Sequence, residues 1–463
     1  MFERQINISY KNIILFIYVV LLTISGPFIF WLSDRRESVS NSQNPPEKVE
    51  RVTEKNSKLL SLWSKSLLLI NPNSQLKSRI SVGKKILITD DSNVKKQAGI
   101  EAFAAQNYRK AIALFQKALK IKRNDPETLI YLNNAIAARQ EKKITLATSV
   151  PIGGSLNVAQ EILRGIAQAQ QEINHNGGIQ GYLIEIKIAN DDNNPELARK
   201  IAAKFVADQD ILAVIGHNSS EASLAAAPIY QKGKLIQISP TSVARELTSI
   251  GDYILRTTPS TRSIASTLAD YTLEVANHKK VALCSDSQSP ASESFKEEFT
   301  LAIFEYGGEI AATKCDFAES KFDPQTIPSQ AVRDGAEALL LIPNVNRIHQ
   351  AIAVAQANEQ RLTLLGNHTM YTFETLQQGQ SDVNNMVLAV AWHPKLATDP
   401  NFVHQAQKLW GGVGTWRTAS AYDATQVAIA GLKSGRSRQR LQQALTNPEF
   451  SFIGATGKIR FLH

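Results

Sequence analysis

Apolar residues between positions 144 and 247 fall into four short runs, and each run is closed by a polar cluster. The runs 144–148, 182–189, 211–215 and 235–238 have the length and β-branched content of buried strands. They end respectively in Ser149, in the sequence NDDN at 190–193, in GHNSS at 216–220 and in SPTS at 239–242. Amphipathic helical patterns of about four turns separate them. Strand, helix, strand, helix predicts parallel pairing through right-handed crossovers. In sheets of this kind ligands lie off the carboxyl ends of the strands. Here those ends carry small hydroxyls, and Gly216 lets the backbone approach closely.

The same alternation resumes further on. Strands are predicted at 279–284, 309–314, 338–342 and 363–365, with helices at 294–306, 325–333 and 348–358. The run 386–391 is expected to carry the chain back to the first half, and helices follow at 402–409 and 419–433. The predicted fold is α/β, with two parallel sheets flanked by helices and joined by a hinge.

Short motifs in this region resemble the type 1 periplasmic solute-binding family, in its leucine/isoleucine/valine-binding branch. They are Arg164 and Gly165, the run EINHNGGIQG at 172–181, Asp191 and Asp192 with Pro195 and Glu196, and VIG at 214–216 with Ser219 and Ser220. APIY at 227–230, ISP at 238–240, Arg256 and Thr257 with Pro259 and Ser260, AYDA at 421–424 and GATGKIRF at 454–461 complete the set. The resemblance runs from 144 to the end, about two thirds of the chain, and rests on the order and spacing of the pieces together.

The N-terminal part differs in character. Residues 13–32 are mostly apolar, broken only by Thr23, Ser25, Gly26 and Pro27, and are long enough to cross a bilayer core of about 30 Å. The run is longer than a signal-peptide core and lacks a small-residue cleavage site. It is read as an uncleaved membrane anchor, residues 1–37. Residues 38–47 are Ser-, Asn- and Pro-rich, as in a linker, 49–69 have helical spacing, and 78–91 hold a short strand candidate. Residues 98–139 resemble a single tetratricopeptide repeat through Gly99, Ala102, Phe103, Tyr108, Ala111, Phe115 and Ala118, with Asp125 and Pro126 opening the next helix. One such hairpin cannot bury its own apolar face and must lean on its neighbours. It serves either as a spacer or as a partner-docking groove.

The net charge of +9 sharpens this division. Residues 1–143 hold 24 Lys and Arg against 12 Asp and Glu, whereas 144–463 hold 27 against 30. The excess belongs to the N-terminal part, as solvated helix faces or as attraction to an anionic surface. The basic residues are not interleaved with aromatics, so no nucleic-acid interface is expected. Cys284 and Cys315 show no metal spacing. Two buried thiols are the commoner case, although their places near strand ends allow a disulfide. Dinucleotide and phosphate loops, paired metal histidines and a nucleophile triad are all missing, so no enzyme, cofactor or metal is expected.

The resemblance also implies a site. A hydroxyl after the third strand and the segment after ISP hold a ligand carboxylate in amino-acid-binding members. The matching residues are Ser220, with Ser219 beside it, and Thr241 and Ser242, while Val243 stands where the family commonly has Thr. Ser219 and Ser220 have a second reading as helix N-caps. On the second lobe, His368 occupies the place of the family's ammonium-binding carboxylate, and Asn344 stands where an aromatic contact is common. A charged His368 would repel an ammonium group. Trp392 either walls the pocket or packs.

The expected organisation is an anchor (1–37), a linker and helical segment (38–97), a repeat-like hairpin (98–143) and a two-lobed solute-binding domain (144–463). Its first lobe spans about 144–259 and 392–450, and its second lobe about 260–391 with the C-terminal strand. The resemblance implies a receptor on the periplasmic side of the membrane that serves an ABC permease and binds an amino acid or related small polar solute by hinge closure. The alternative is a sensory or scaffolding protein with a degenerate solute site.

Overall fold

The structure is a computed structural model and describes residues 76–140 and 142–461. The expected anchor, the linker at 38–47 and the helix at 49–69 lie outside the described residues. Among the described residues no helix is long and apolar enough to cross a membrane.

The first sheet has six strands in the order β1-β3-β2-β4-β5-β6. They are β1 (Ile80–Ser81), β2 (Lys143–Val150), β3 (Leu183–Asn190), β4 (Ile211–Ile215), β5 (Ile236–Ser239) and β6 (Ile254–Arg256). All neighbours are parallel except β1, which runs antiparallel along the β3 edge. Apolar side chains fill both faces, as parallel strands with crossover helices require. On one face Leu146, Ile186, Ile215 and Ile238 pack against helix Leu156–His175 and helix Trp416–Leu432. On the other, Ala147, Ala189 and Val214 meet helices Pro195–Ala207 and Ser220–Lys232.

The described segment 76–140 is not a separate packing unit. Helices α1 (Val94–Ala104), α2 (Tyr108–Ile121) and α3 (Pro126–Ala138) share the first-sheet core through Ile100, Phe103, Phe115 and Ile130. Gly99 permits the α1–α2 crossing, because a Cβ there would lie 2.6 Å from the Phe115 ring. Asn134 of α3 donates to the Val82 and Ile186 carbonyls and accepts the Ile186 N–H, so it stitches β1 to β3. The strand candidate within 78–91 is therefore an added edge strand.

The remaining helices are α4 (Leu156–His175), α5 (Pro195–Ala207), α6 (Ser220–Lys232), α7 (Thr261–Asp270), α8 (Pro290–Glu305), α9 (Ile327–Arg333), α10 (Ile348–Asn358), α11 (Phe373–Gly379), α12 (Pro400–Trp410), α13 (Trp416–Leu432) and α14 (Arg438–Leu445). The second sheet is wholly parallel, in the order β11-β10-β9-β7-β8. Its strands are β7 (Lys280–Ser285), β8 (Glu309–Ile310), β9 (Ala338–Ile342), β10 (Thr363–Gly366) and β11 (Val387–Leu388). Side chains alternate across it with period two. Val281, Leu283, Leu340 and Ile342 face α7 and α8, and Ala282, Cys284, Leu339 and Leu341 face the opposite core with α9 and α10.

Three expectations change. The run 386–391 contributes β11 to the second sheet before the chain returns. The C-terminal strands β12 (Phe452–Gly454) and β13 (Gly457–Ile459) form their own hairpin and pack on the first-lobe core, not in the second lobe. The Asp423 carboxylate on α13 accepts the N–H groups of Ala455 and Thr456 and the Thr456 hydroxyl, which holds the hairpin there. Finally, Cys284 and Cys315 are joined in a disulfide rather than standing as buried thiols. Backbone bonds between Ser285 and both Cys315 and Phe317 lay the 315–317 segment beside the end of β7, which brings the two sulfurs together.

Candidate functional site

The carboxyl ends of both sheets face a common cleft. Its first-lobe wall is built by the loops that follow β4 and β5. Gly216 has φ +138°, and a Cβ there would lie 2.7 Å from the Ser149 carbonyl, so only glycine lets the β4 loop turn under β2. Below the loop, buried His217 donates or accepts at both ring nitrogens, with Asp191 at 2.6 Å and the Tyr230 hydroxyl at 3.2 Å. Burial acts to raise the Asp191 carboxyl, but the bonds from His217 and Ser149 outweigh it and hold the group below the usual carboxylate range. This accounts for the first Asp of the NDDN cluster as a structural residue.

Ser219 is the N-cap of α6, its hydroxyl accepting the Ala222 N–H. Ser220 Oγ accepts the N–H groups of Val243 and Ala244, both at 3.2 Å. Thr241 donates to the Asn218 carbonyl at 2.8 Å. These three line the cleft, with Asn218, Glu221 and Val243. Ser242 does not. Its hydroxyl turns behind the loop to the Ser223 hydroxyl at 2.6 Å and to the carbonyls of 217–219, where it helps hold the loop's shape.

The second-lobe wall is lined by Asn344 and His368, together with Ser289, Ala291, Ser292 and Asn367. His368 is buried and edge-on to Trp416, with ring centroids 5.3 Å apart, and its Nδ1 has no hydrogen-bond partner. Burial, aided by the Arg417 charge, lowers its pKa to about 3. The imidazole is therefore neutral near pH 7, and the anticipated repulsion of an ammonium group does not arise.

Sequence reasoning missed Glu221, Ser289, Trp416 and Arg417. Trp416 and Arg417 open α13, which belongs to the first lobe, and both line the cleft. Arg417 is buried and pairs with Glu161 at 3.3 Å. It also donates to the Tyr371 carbonyl at 2.6 Å and so reaches across to the second lobe. Trp392, the aromatic considered beforehand, packs on Phe402 and is not among the cleft-lining residues. The only signals for Trp416 and Arg417 were an aromatic five residues and a cation four residues before AYDA. The cleft encloses about 470 Å³, counting its open mouth. Among the described residues no group of side chains is arranged to hold a metal ion.

Two largely parallel-sheet lobes with a polar cleft at their facing carboxyl ends make up the two-lobed α/β arrangement. Residues 143–463 match the family described as periplasmic binding protein, and the chain belongs to that family. The family and fold are those of solute-binding proteins and not of enzymes. The chain is 33% identical over 161 residues to the Leu/Ile/Val-binding protein of Escherichia coli, a match covering 35% of this chain and 43% of that one. It is 29% identical over 138 residues to the amino acid binding protein of Pseudomonas aeruginosa, covering 30% and 37% respectively. The matches thus span less than half the length of these relatives.

Among solved structures, the leucine binding protein of Thermotoga maritima superposes with a TM-score of 0.63 at 20% identity, covering 68% of this chain and 91% of that one. A branched-chain amino acid transporter substrate binding protein of Streptococcus pneumoniae, in complex with isoleucine, gives 0.61 at 21% identity, covering 69% and 92%. A solute binding protein of Rhodopseudomonas palustris in complex with benzoate gives 0.60 at 17% identity, covering 69% and 89%. These likenesses establish the fold.

Proposed function

We propose that this chain is an extracytoplasmic receptor of an ABC-type transporter, held to the membrane by residues 13–32, that binds an amino acid or related small polar solute by hinge closure. The single observation that carries the reading is the cleft, where Ser219, Ser220 and Thr241 of one lobe face Asn344 and His368 of the other. The two N–H bonds that Ser220 Oγ accepts leave its proton to donate, which suits a carboxylate or carbonyl oxygen. Neutral His368 and the Trp416 indole supply further polar atoms without opposing charge. Closure buries the solute between the lobes, and its greater affinity for the closed form drives the shift. The Cys284–Cys315 disulfide agrees with an oxidising compartment. In this reading the helices of 98–143 act as a spacer fused to the first lobe, and a permease recognises the closed form.

One observation favours a second reading. Glu221 on the first lobe accepts hydrogen bonds from Ser289 and Asn344 on the second, so side chains of the two lobes meet directly across the cleft. Lobes tied to each other in this way would suit a sensor or scaffold whose working surface is the helical segment. A thermal-shift screen of amino acids, amides, urea and short peptides separates the two. The receptor reading expects stabilisation by at least one class, and no stabilisation by any supports the scaffold.

A further inference from the structure

Glu221 is the one carboxylate among the described cleft-lining residues. It stands in the first turn of α6, directly after Ser220. One oxygen, Oε1, accepts from the Ser289 hydroxyl at 2.7 Å and from the Asn344 amide at 2.9 Å. Both donors are neutral, and no described Lys, Arg or His pairs with this carboxylate. The cation in the same cleft, Arg417, is already committed to Glu161 and to the Tyr371 carbonyl. The cleft thus presents one carboxylate without a counter-ion, its second oxygen still able to accept. Closing two lobes around such a charge strips it of water, which is costly unless a cation enters with the ligand.

Resting on the receptor reading above, we infer that Glu221 is the specificity-determining counter-charge of the cleft, and that it selects solutes carrying an ammonium group. Ser289 and Asn344 hold the carboxylate from the opposite lobe, so the ammonium completes a ring of contacts that already spans the hinge. An acceptor group on the same solute meets the Ser220 hydroxyl and the unpartnered Trp416 Nε1–H. A primary amine with a carboxylate or amide nearby satisfies both ends, and a bare carboxylic acid leaves Glu221 unpaired.

The test is calorimetry on the full chain in detergent, with solute pairs that differ only in the ammonium group, such as leucine against 4-methylpentanoate and valine against 3-methylbutanoate. The amino member is expected to bind about tenfold to a hundredfold tighter, the range of a hydrogen bond to a charged group. Glu221→Gln should abolish that preference and Glu221→Asp should keep most of it, with solute-free melting curves confirming that both variants fold. Equal binding of the two members of a pair, or an undiminished preference in Glu221→Gln, overturns the assignment while the receptor reading stands. Failure of every solute to bind overturns both.

Discussion

The Ser220 hydroxyl and the Val243 backbone N–H meet at 3.2 Å and tie the first turn of α6 to the loop that follows β5. The two residues come from different crossovers of the first lobe. Their contact, repeated to Ala244, makes Ser220 a brace for the cleft wall, and in the proposed site its hydroxyl proton is the donor to the solute. Ser220→Ala removes the brace and the donor together. Solute affinity is expected to fall by about 1–3 kcal/mol, the cost of leaving buried polar groups unpaired. Calorimetry with a solute that the wild type binds checks this, and an unchanged affinity would remove Ser220 from the site.

His368 gives the protein a pH dependence of known sign. Its folded pKa, about 3, lies below the ordinary 6.5, so the folded state favours the neutral ring. The stabilisation is complete above pH 6.5 and is lost as the pH falls toward 3, because the unfolded chain then binds the extra proton. At about 1.4 kcal/mol per pH unit, acidification from pH 6.5 to 5 costs about 2 kcal/mol from this group. Denaturant melts at the two pH values should show that loss in the wild type, and a smaller one in His368→Gln.

The helical segment is locked by buried charges. Lys96 of α1 lies 3.0 Å from Asp125 and 2.8 Å from Glu127, and all three are fully buried. Glu127 also accepts the Leu87 and Ile88 N–H groups, so the cluster fastens the chain between β1 and α1 to the start of α3. Lys96→Met leaves two carboxylates without their cation and is expected to destabilise the protein by about 3–5 kcal/mol. The double variant Lys96→Met with Glu127→Gln should recover part of that. Unfolding midpoints of the three proteins decide the point.

The Cys284–Cys315 bond closes a loop with a sequence separation of 31 residues in the second lobe. A loop of that size corresponds to about 3–4 kcal/mol of lost unfolded-state entropy. Reductant should lower the melting temperature of the wild type, and Cys284→Ala with Cys315→Ala should melt at the reduced value whether or not reductant is added.

Much of the architecture is written in local order. The strands at 338–342 and 211–215 could be placed to the residue because a short apolar run bounded by turn residues has few other uses. The glycines at 99 and 216 marked close approaches before any partner was known. β8 is shorter than its apolar pattern, because backbone beyond Ile310 meets β7 only at isolated points instead of continuing a ladder. Of the cleft residues, Ser219 and Ser220 follow β4 and Thr241 follows β5, so their place at strand ends was legible in the sequence. Asn344 and His368 were named through the family resemblance, and both follow strands of the second sheet.

What the order of residues determined by itself was therefore the alternation of strands and helices, the two sheets, and which loops stand at their functional ends. Only the tertiary structure decided that Ser242 faces backward, that Trp416 and Arg417 reach the cleft from α13, that the two cysteines meet, and that Glu221 is held by residues of the other lobe. The reason is one of range. Periodicity and turn chemistry act between neighbours along the chain, whereas the direction of a side chain and the identity of its partner depend on how two sheets, dozens to hundreds of residues apart in sequence, are set against each other across a hinge.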